Sequence, residues 1–295
     1  MTQPIILTHG LSLSNLPLLV AEGRGFFEAE GLVVDIPQLT SVASTASMLS
    51  EGKAHLGTAA FTHPFIGFNQ EDPPVMVAGS GLTGISLLSQ PEFTDTGMLK
   101  GKKVATFRSD PMEILAYEKL KQAGLEFSDV DLHYIDDLQE ALRSFEAGEL
   151  AAVTLVEPHA NRLRKRGAFE LSNGTDLWGE TFPDTVLISS RSFLTARPEA
   201  VEGTLRAILN AEAYIKADLE GLLSYVRDHY PGFTMEELVA GAKNQPPCID
   251  IRRFIPMMLA RWPSLQALDL VPEGAPVPRQ ALELDRFAPL FADRQ

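Results

Sequence analysis

The 295-residue sequence holds one cysteine, Cys248, so no intramolecular disulfide can form. Its surroundings, Gln245-Pro246-Pro247-Cys248-Ile249-Asp250, carry no nucleophile signature, and a packed or idle thiol is expected there. The six histidines, His9, His55, His63, His133, His159 and His229, show no ligand spacing, so no metal is expected. Positive charge is scarce. Lys and Arg number 25 against 39 Asp and Glu, a net charge of −14, which argues against a nucleic-acid partner. The one dense basic run, Arg162, Arg164, Lys165 and Arg166, reads as the solvated end of a helix. No stretch of 18 apolar residues exists to span a membrane. The opening Met1–His9 has neither a basic n-region nor a long apolar h-region, so the chain as written is expected to be cytoplasmic, or periplasmic if an upstream signal was removed. Phosphate-loop, dinucleotide, nucleophile-elbow, zincin and EF-hand motifs are absent, and no cofactor is expected.

What remains is an α/β pattern. Short apolar runs such as Ile5–Leu7, Leu32–Ile36, His55–Ala59 and Val75–Gly79 alternate with amphipathic stretches. The middle is clearest. Strands are predicted at Val104–Phe107, Leu132–Ile135 and Ala151–Val156. Helices Pro111–Ala123, Leu138–Ala147 and Pro158–Arg166 follow them, each ended by glycine. Such a βαβαβα series predicts a parallel sheet covered by helices. After Val186–Ser189 the pattern turns helical, through Pro198–Ala217, Leu219–Asp228, Met235–Ala242 and Ile251–Leu259. Two crossings between lobes are expected, near Ser80–Leu88 and Asp184–Ser190.

Five loops could carry chemistry, and each lies between a predicted strand and helix. In Arg108-Ser109-Asp110-Pro111-Met112-Glu113, Asp110 suits an N-cap, Pro111 the first helical position and Glu113 a capping box. Free N–H groups at that helix start, with the fork of Arg108, could hold a carboxylate, phosphate or sulfonate, although Asp110 brings its own negative charge. Thr8–Asn15 offers His9, Ser12, Ser14 and Asn15; Thr40–Thr45 offers Ser41 and Ser44. Thr62 and His63 follow another strand, and Glu157 ends the next. Capping and solvation account for each loop alone; their convergence on one cleft would not be so explained. The expected ligand contacts are His9, Ser12, Ser14, Asn15, Ser41, Ser44, Thr62, His63, Arg108, Ser109, Asp110 and Glu157, joined by Thr83 in the first crossing. His63 and Glu157 are the weak candidates for proton transfer.

The stretch Pro17-Leu18-Leu19-Val20-Ala21-Glu22-Gly23-Arg24-Gly25-Phe26-Phe27-Glu28-Ala29-Glu30-Gly31-Leu32 resembles the P-x-x-V/L-A-x-x-x-G-F-F-x-x-E-G-L opening of the periplasmic binding proteins of the nitrate/sulfonate/taurine and thiamine-pyrimidine-precursor class. Leu99-Lys100-Gly101-Lys102-Lys103-Val104, Val156-Glu157-Pro158-His159-Ala160 and Arg197-Pro198-Glu199-Ala200-Val201 are similar to later motifs of that class, in the same order. The resemblance implies a two-lobed type II periplasmic-binding-protein fold, α/β, with a central cleft and C-terminal helices. One lobe would be residues 1–85 plus 186–295, the other 86–185. His9 would stand where an aromatic often stacks on the ligand. Thiamine pyrimidine synthase shares this fold. The resemblance puts His63 on its histidine but Ala59 on the lysine that holds pyridoxal phosphate, and its cysteine-rich stretch is missing from Trp178–Ile188. The related desulfinases use a first-loop cysteine, where this chain has Ser12 and Ser14.

The function so implied is capture of a small polar or anionic organic solute by hinge closure for ABC-type uptake, with an ABC transporter permease as partner. The alternatives are a cytoplasmic enzyme on the same fold, which turnover of a bound molecule would reveal, and an intracellular ligand sensor.

Overall fold

A computed structural model describes residues 3–41, 44–179 and 181–292. Among these residues ten strands form two five-stranded sheets. The strands are β1 (Ile5–Thr8), β2 (Val34–Asp35), β3 (Leu56–Ala60), β4 (Pro74–Leu82), β5 (Ile85–Ser89), β6 (Lys103–Thr106), β7 (Asp131–Tyr134), β8 (Ala152–Val156), β9 (Phe169–Ser172) and β10 (Pro183–Ser190). The first sheet runs β2-β1-β3-β10-β4 and the second β7-β6-β8-β5-β9. Both are mixed rather than wholly parallel. β1 lies parallel to β2 and β3, but β10 is antiparallel to β3 and β4. In the second sheet β6 is parallel to β7 and β8, while β5 opposes both β8 and β9. The parallel expectation holds for β6, β7 and β8, the series for which it was made; the antiparallel strands β5, β9 and β10 lie outside that series, and periodicity marks a strand without giving its direction.

The helices used below are α1 (Leu16–Gly23), α2 (Ser44–Ser50), α3 (Pro111–Gln122), α4 (Leu138–Glu146), α5 (His159–Lys165), α6 (Pro198–Ala217), α7 (Leu219–Val226), α8 (Met235–Asn244) and α9 (Trp262–Ala267). α4 shows why such segments fold as they do. Asp137 caps it by accepting from Glu140 N at 2.9 Å, and Leu138, Ala141, Leu142 and Phe145 fall on one buried face. α8 starts with a capping box between Thr234 and Glu237. At α3 the expected cap is present, with Met112 N donating to Asp110 Oδ1 at 2.9 Å. The reciprocal half of that box is not. The Glu113 carboxylate instead accepts from Ser109 N and from Arg108.

Two cores result. One gathers Leu7, Leu19 and Val77 of the first sheet and α1 with Ile208, Leu223 and Leu238 of α6, α7 and α8. The other joins the second sheet and α3 to the C-terminal segment around Met258, Trp262 and Leu265, and reaches Met76 in β4 of the first sheet and Phe65 beside it. Each fully buried aliphatic side chain in these cores contributes about 1.5–3 kcal/mol. β10 is buried along its whole length because it has a strand on either side.

Two chain crossings join the sheets. β4 leaves the first at Leu82, turns through Thr83 (φ 53°) and Gly84 (φ 83°), and enters the second at Ile85. The return runs between β9 and β10, so Asp184–Ser190, expected as a crossing, lies inside β10 of the first sheet. The crossings are pinned together where Thr83 N donates to Phe182 O at 2.8 Å, and Gly84 O also accepts from Glu157 N, just past β8, at 2.9 Å. A Cβ on Gly84 would fall within 2.8 Å of the Gln245 side chain, so that position needs glycine for space as well as conformation. The basic run at the end of α5 is solvated at Lys165 and Arg166 but not at Arg162 and Arg164. Arg162 binds Glu237 of α8, Arg164 binds Glu157 and Glu170, and in this run Arg166 is the mostly exposed arginine. No helix among the described residues is long and apolar enough to cross a membrane.

Candidate functional site

The rims of the two sheets enclose a cavity of about 60 Å³. The first sheet's side supplies Ser12 and Asn15 from the loop after β1, Ser41 from the loop before α2, Thr58 and Ala59 from β3, and Asp184 and Thr185 from β10. The second sheet's side supplies Asp110 and Met112 at the start of α3, Leu138 of α4 and Val156 of β8. β10 runs antiparallel, so it is its first residues, not its last, that reach the cleft, with Thr185 paired to Ala60.

A connected hydrogen-bond network forms one wall. The Thr58 hydroxyl donates to Asn15 Oδ1 at 2.5 Å, and Asn15 Nδ2 donates to Ser12 O and Ser12 Oγ. The Ser12 and Ser14 hydroxyls bond at 2.5 Å, and Ser14 Oγ donates to Thr185 Oγ1 at 2.8 Å. Thr185 Oγ1 in turn donates to Asp184 Oδ2 at 2.9 Å. Gln245, wholly buried just past α8, locks the end of the chain. Its Nε2 donates to Asp184 Oδ2 and Thr83 O, and its Oε1 accepts from Ser14 N. Polar side chains so fixed are oriented before any guest arrives.

The rims touch. Thr62 Oγ1, beside β3, donates to Ser109 O before α3 at 2.5 Å. Leu13 N donates to Glu157 O at 3.0 Å, and Ser41 forms an antiparallel bridge with Asp137. Both cavity carboxyls titrate above the ordinary carboxylate range. Burial lifts Asp184 to about 7; burial, then the charge of Asp184, lifts Asp110.

Of the residues singled out in the sequence, Ser12, Asn15, Ser41 and Asp110 line this cavity, and Ser14 backs it through the network. Ser44 opens α2, and its side chain lies outside the described residues. The others stand elsewhere. Arg108 does not reach the cavity: its guanidinium is held by Glu113 at 2.6 Å, Tyr134 at 3.0 Å and Leu268 O at 2.9 Å. The helix-start N–H groups expected to cradle an anion are taken by Asp110 and Glu113. Ser109 acts through its carbonyl, at the rim contact with Thr62. His9 is buried against Gly10 O and edge-on to His229, and burial lowers its pKa to about 4. His63 is also buried, its Nδ1 without a partner, and burial lowers its pKa to about 4; it does not line the cavity. Glu157 is committed to Arg164, Asn244 Nδ2 and Asn161 N. With Thr83 it borders a second, charge-paired cavity of about 270 Å³ behind the crossings. The Cys248 thiol is half-buried, and burial raises its pKa to about 11. Among the described residues no cluster of His, Cys, Asp and Glu could hold a metal ion. Ala59, at the position the resemblance gives to a pyridoxal-phosphate lysine, presents a methyl group and cannot form a Schiff base.

Asp184, Thr185, Thr58 and Gln245 were not among the expected contacts. The signal for the first pair is Asp184-Thr185 directly before the apolar run Val186–Ile188, which matters once that strand is known to enter the sheet from the cleft side.

Comparison with known proteins agrees with this architecture. The sequence profile described as NMT1/THI5 like matches residues 13–220. YtlA of Bacillus subtilis (strain 168), named as a candidate binding protein, is 26% identical over 225 residues, 71% of this chain and 64% of its own. The 4-amino-5-hydroxymethyl-2-methylpyrimidine phosphate synthase of Aspergillus parasiticus is 26% identical over 219 residues, 68% of this chain and 63% of its own. The chain thus spans less than two thirds of the length of these relatives. The alkanesulfonate-binding protein SsuA from Xanthomonas axonopodis pv. citri superimposes with TM-score 0.81 at 18% identity, covering 96% of this chain and 99% of that one. The nitrate-binding protein NrtA from Synechocystis PCC 6803 gives TM-score 0.85 at 13% identity, covering 99% and 89%. The fold is therefore that of the periplasmic solute-binding proteins of import systems.

Proposed function

The chain belongs to the NMT1/THI5-like family, and from that premise we propose that it is a solute-binding protein, closing two lobes on a small polar molecule and delivering it to an ABC-type import permease. The observation that carries this reading is the cavity itself, lined from both sheets and ringed by the Thr62–Ser109, Leu13–Glu157 and Ser41–Asp137 contacts. A guest touching both rims binds the closed arrangement better than an open one, and that difference drives closure. The moving bodies in this reading are residues 3–82 with 183–250, and residues 85–178 with the segment 251–284 packed on their core, a different division from the one at 85/86 and 185/186 that the resemblance implies. Thr83 and Gly84 supply one hinge. Ser12, Asn15, Ser41 and Thr58 give the neutral hydrogen-bonding edge, and Asp110 and Asp184 the two acidic corners. Such work belongs on the outer side of a membrane, where an import permease receives its cargo.

A synthase is among the family's members, but Ala59 and the off-cavity His63 support capture over turnover. Native mass spectrometry of the purified protein tests the reading. A one-to-one non-covalent small-molecule adduct is expected, lost when Asn15→Ala cuts the polar wall. No adduct, together with no thermal stabilisation by a metabolite extract, would contradict it.

A further inference from the structure

Taking the cavity as the solute site, we propose that its guest is a small organic cation, of ammonium or amidinium type, held between Asp110 and Asp184, and that binding expels a proton. This charge is opposite to that of the nitrate and alkanesulfonate for which the structural neighbours are named.

Three observations carry the inference. The cavity lining contains no Lys, Arg or His; Asp110 and Asp184 are its charged side chains. Each is 5% exposed and keeps one carboxylate oxygen uncommitted. Asp110 Oδ1 accepts from Met112 N, and Asp184 Oδ2 accepts from Thr185 and Gln245. Asp110 Oδ2 and Asp184 Oδ1 have no hydrogen-bond partner among the described residues, and both residues face the cavity from opposite rims. Finally, the features that make a helix start attractive to anions are neutralised from within. Ser109 N and Arg108 are both bonded to Glu113. An entering anion would meet two acceptors and no free positive donor. An N–H-bearing cation would meet two acceptors placed to receive it.

The groups around the pair leave its charge uncompensated. Glu113, on the same helix as Asp110, is paired with Arg108. Thr185 and Gln245 bring neutral donors to Asp184, and the loops after β1 and β2, with strand β3, bring hydroxyls, an amide and aliphatic groups. Burial and the nearness of a like charge both oppose ionisation of the second carboxyl, so without a guest the pair retains a proton near neutrality. A cation replaces that proton: a carboxylic acid and a carboxylate plus one cation become two carboxylates around the cation, with one proton released to solvent. Charge balances on both sides. The cavity's 60 Å³ admits about four to six water-sized groups, which suits a compact head group.

The test uses the full chain, dialysed, in a pH-stat and in calorimetric titrations in unbuffered potassium chloride. The probes are ethylammonium, acetamidinium and guanidinium chlorides at millimolar concentration, set against sodium nitrate, methanesulfonate and acetate. At least one cation is expected to bind, releasing about one proton at pH 6.5 and fewer as the pH is raised and the pair loses its proton without a guest. Asp110→Asn and Asp184→Asn keep an amide oxygen for Met112, Thr185 and Gln245, so they are expected to fold, to bind the cation at least about tenfold more weakly and to release no proton. Binding of an anion in place of every cation would overturn the ligand class while leaving solute capture standing. Cation binding without proton release, or with unchanged affinity in both variants, would overturn the role of the pair. If none of the six probes binds, the proposal also fails, and solute capture then stands or falls on the native mass spectrum.

Discussion

Arg108 has the chemistry of an anion receptor and the surroundings of a structural cation. Its guanidinium spans Glu113 on α3, the Tyr134 hydroxyl at the end of β7 and the Leu268 carbonyl beyond α9. Arg108→Ala should therefore lower thermal stability, by about 1–3 kcal/mol, because it strands the buried Glu113 carboxylate. Ligand affinity should change less than about twofold, as a titration of the variant beside the parent would show. A tenfold loss of affinity with unchanged stability would put Arg108 in the site after all. Ser12, Asn15 and Asp110 were legible in the sequence because polar residues at a strand's end or a helix cap announce themselves locally. The bonding partner that occupies Arg108 is five residues away and equally visible, yet the carboxylate could have faced solvent; only packing decides between those outcomes. Asp184 and Gln245 were hidden for a different reason. One enters the cleft at the start of an antiparallel strand, and the other arrives from 61 residues further along the chain.

Among the elements, the crossing from β4 to β5 carries the most consequence per residue. Thr83 and Gly84 both sit at positive φ, the geometry that lets one strand finish in the first sheet and the next begin in the second. Gly84→Ala would add left-handed strain and press a Cβ against Gln245, which holds both Ser14 and Asp184. The expected result is a loss of more than about 1 kcal/mol of stability in chemical denaturation together with weaker ligand binding. An unchanged denaturation midpoint would show that the crossing tolerates a side chain. The helices from α3 to α5 and the strands between them were readable because glycine stops, caps and a 3.6-residue period agree. β5 was missed because Ile85–Ser89 follows β4 almost without a break in apolar character, and β9 because Phe169–Ser172 is short and half-buried. α9 went unread as well, though it joins the lobes: Arg261 and Ser264 bond Glu118 of α3, while Trp262 meets Phe65 edge-on.

At the scale of the whole molecule, the arrangement is a closed one. Rim contacts join the two sheets across the cavity, and the segment from Ile251 to Leu284 packs against the second sheet's core before returning to β4, where Glu283 N donates to Met76 O at 2.9 Å. In capture by closure a guest that touches both rims stabilises the closed form, so the stripped protein should shift toward an open form. Small-angle X-ray scattering before and after exhaustive dialysis measures this directly. The protein loaded with its co-purified or added ligand should have a radius of gyration near the value of about 19 Å expected for a compact chain of this length. The dialysed protein should be measurably larger and return to the smaller value when ligand is restored. Identical scattering in the two states, with ligand occupancy verified in each, would contradict capture by closure.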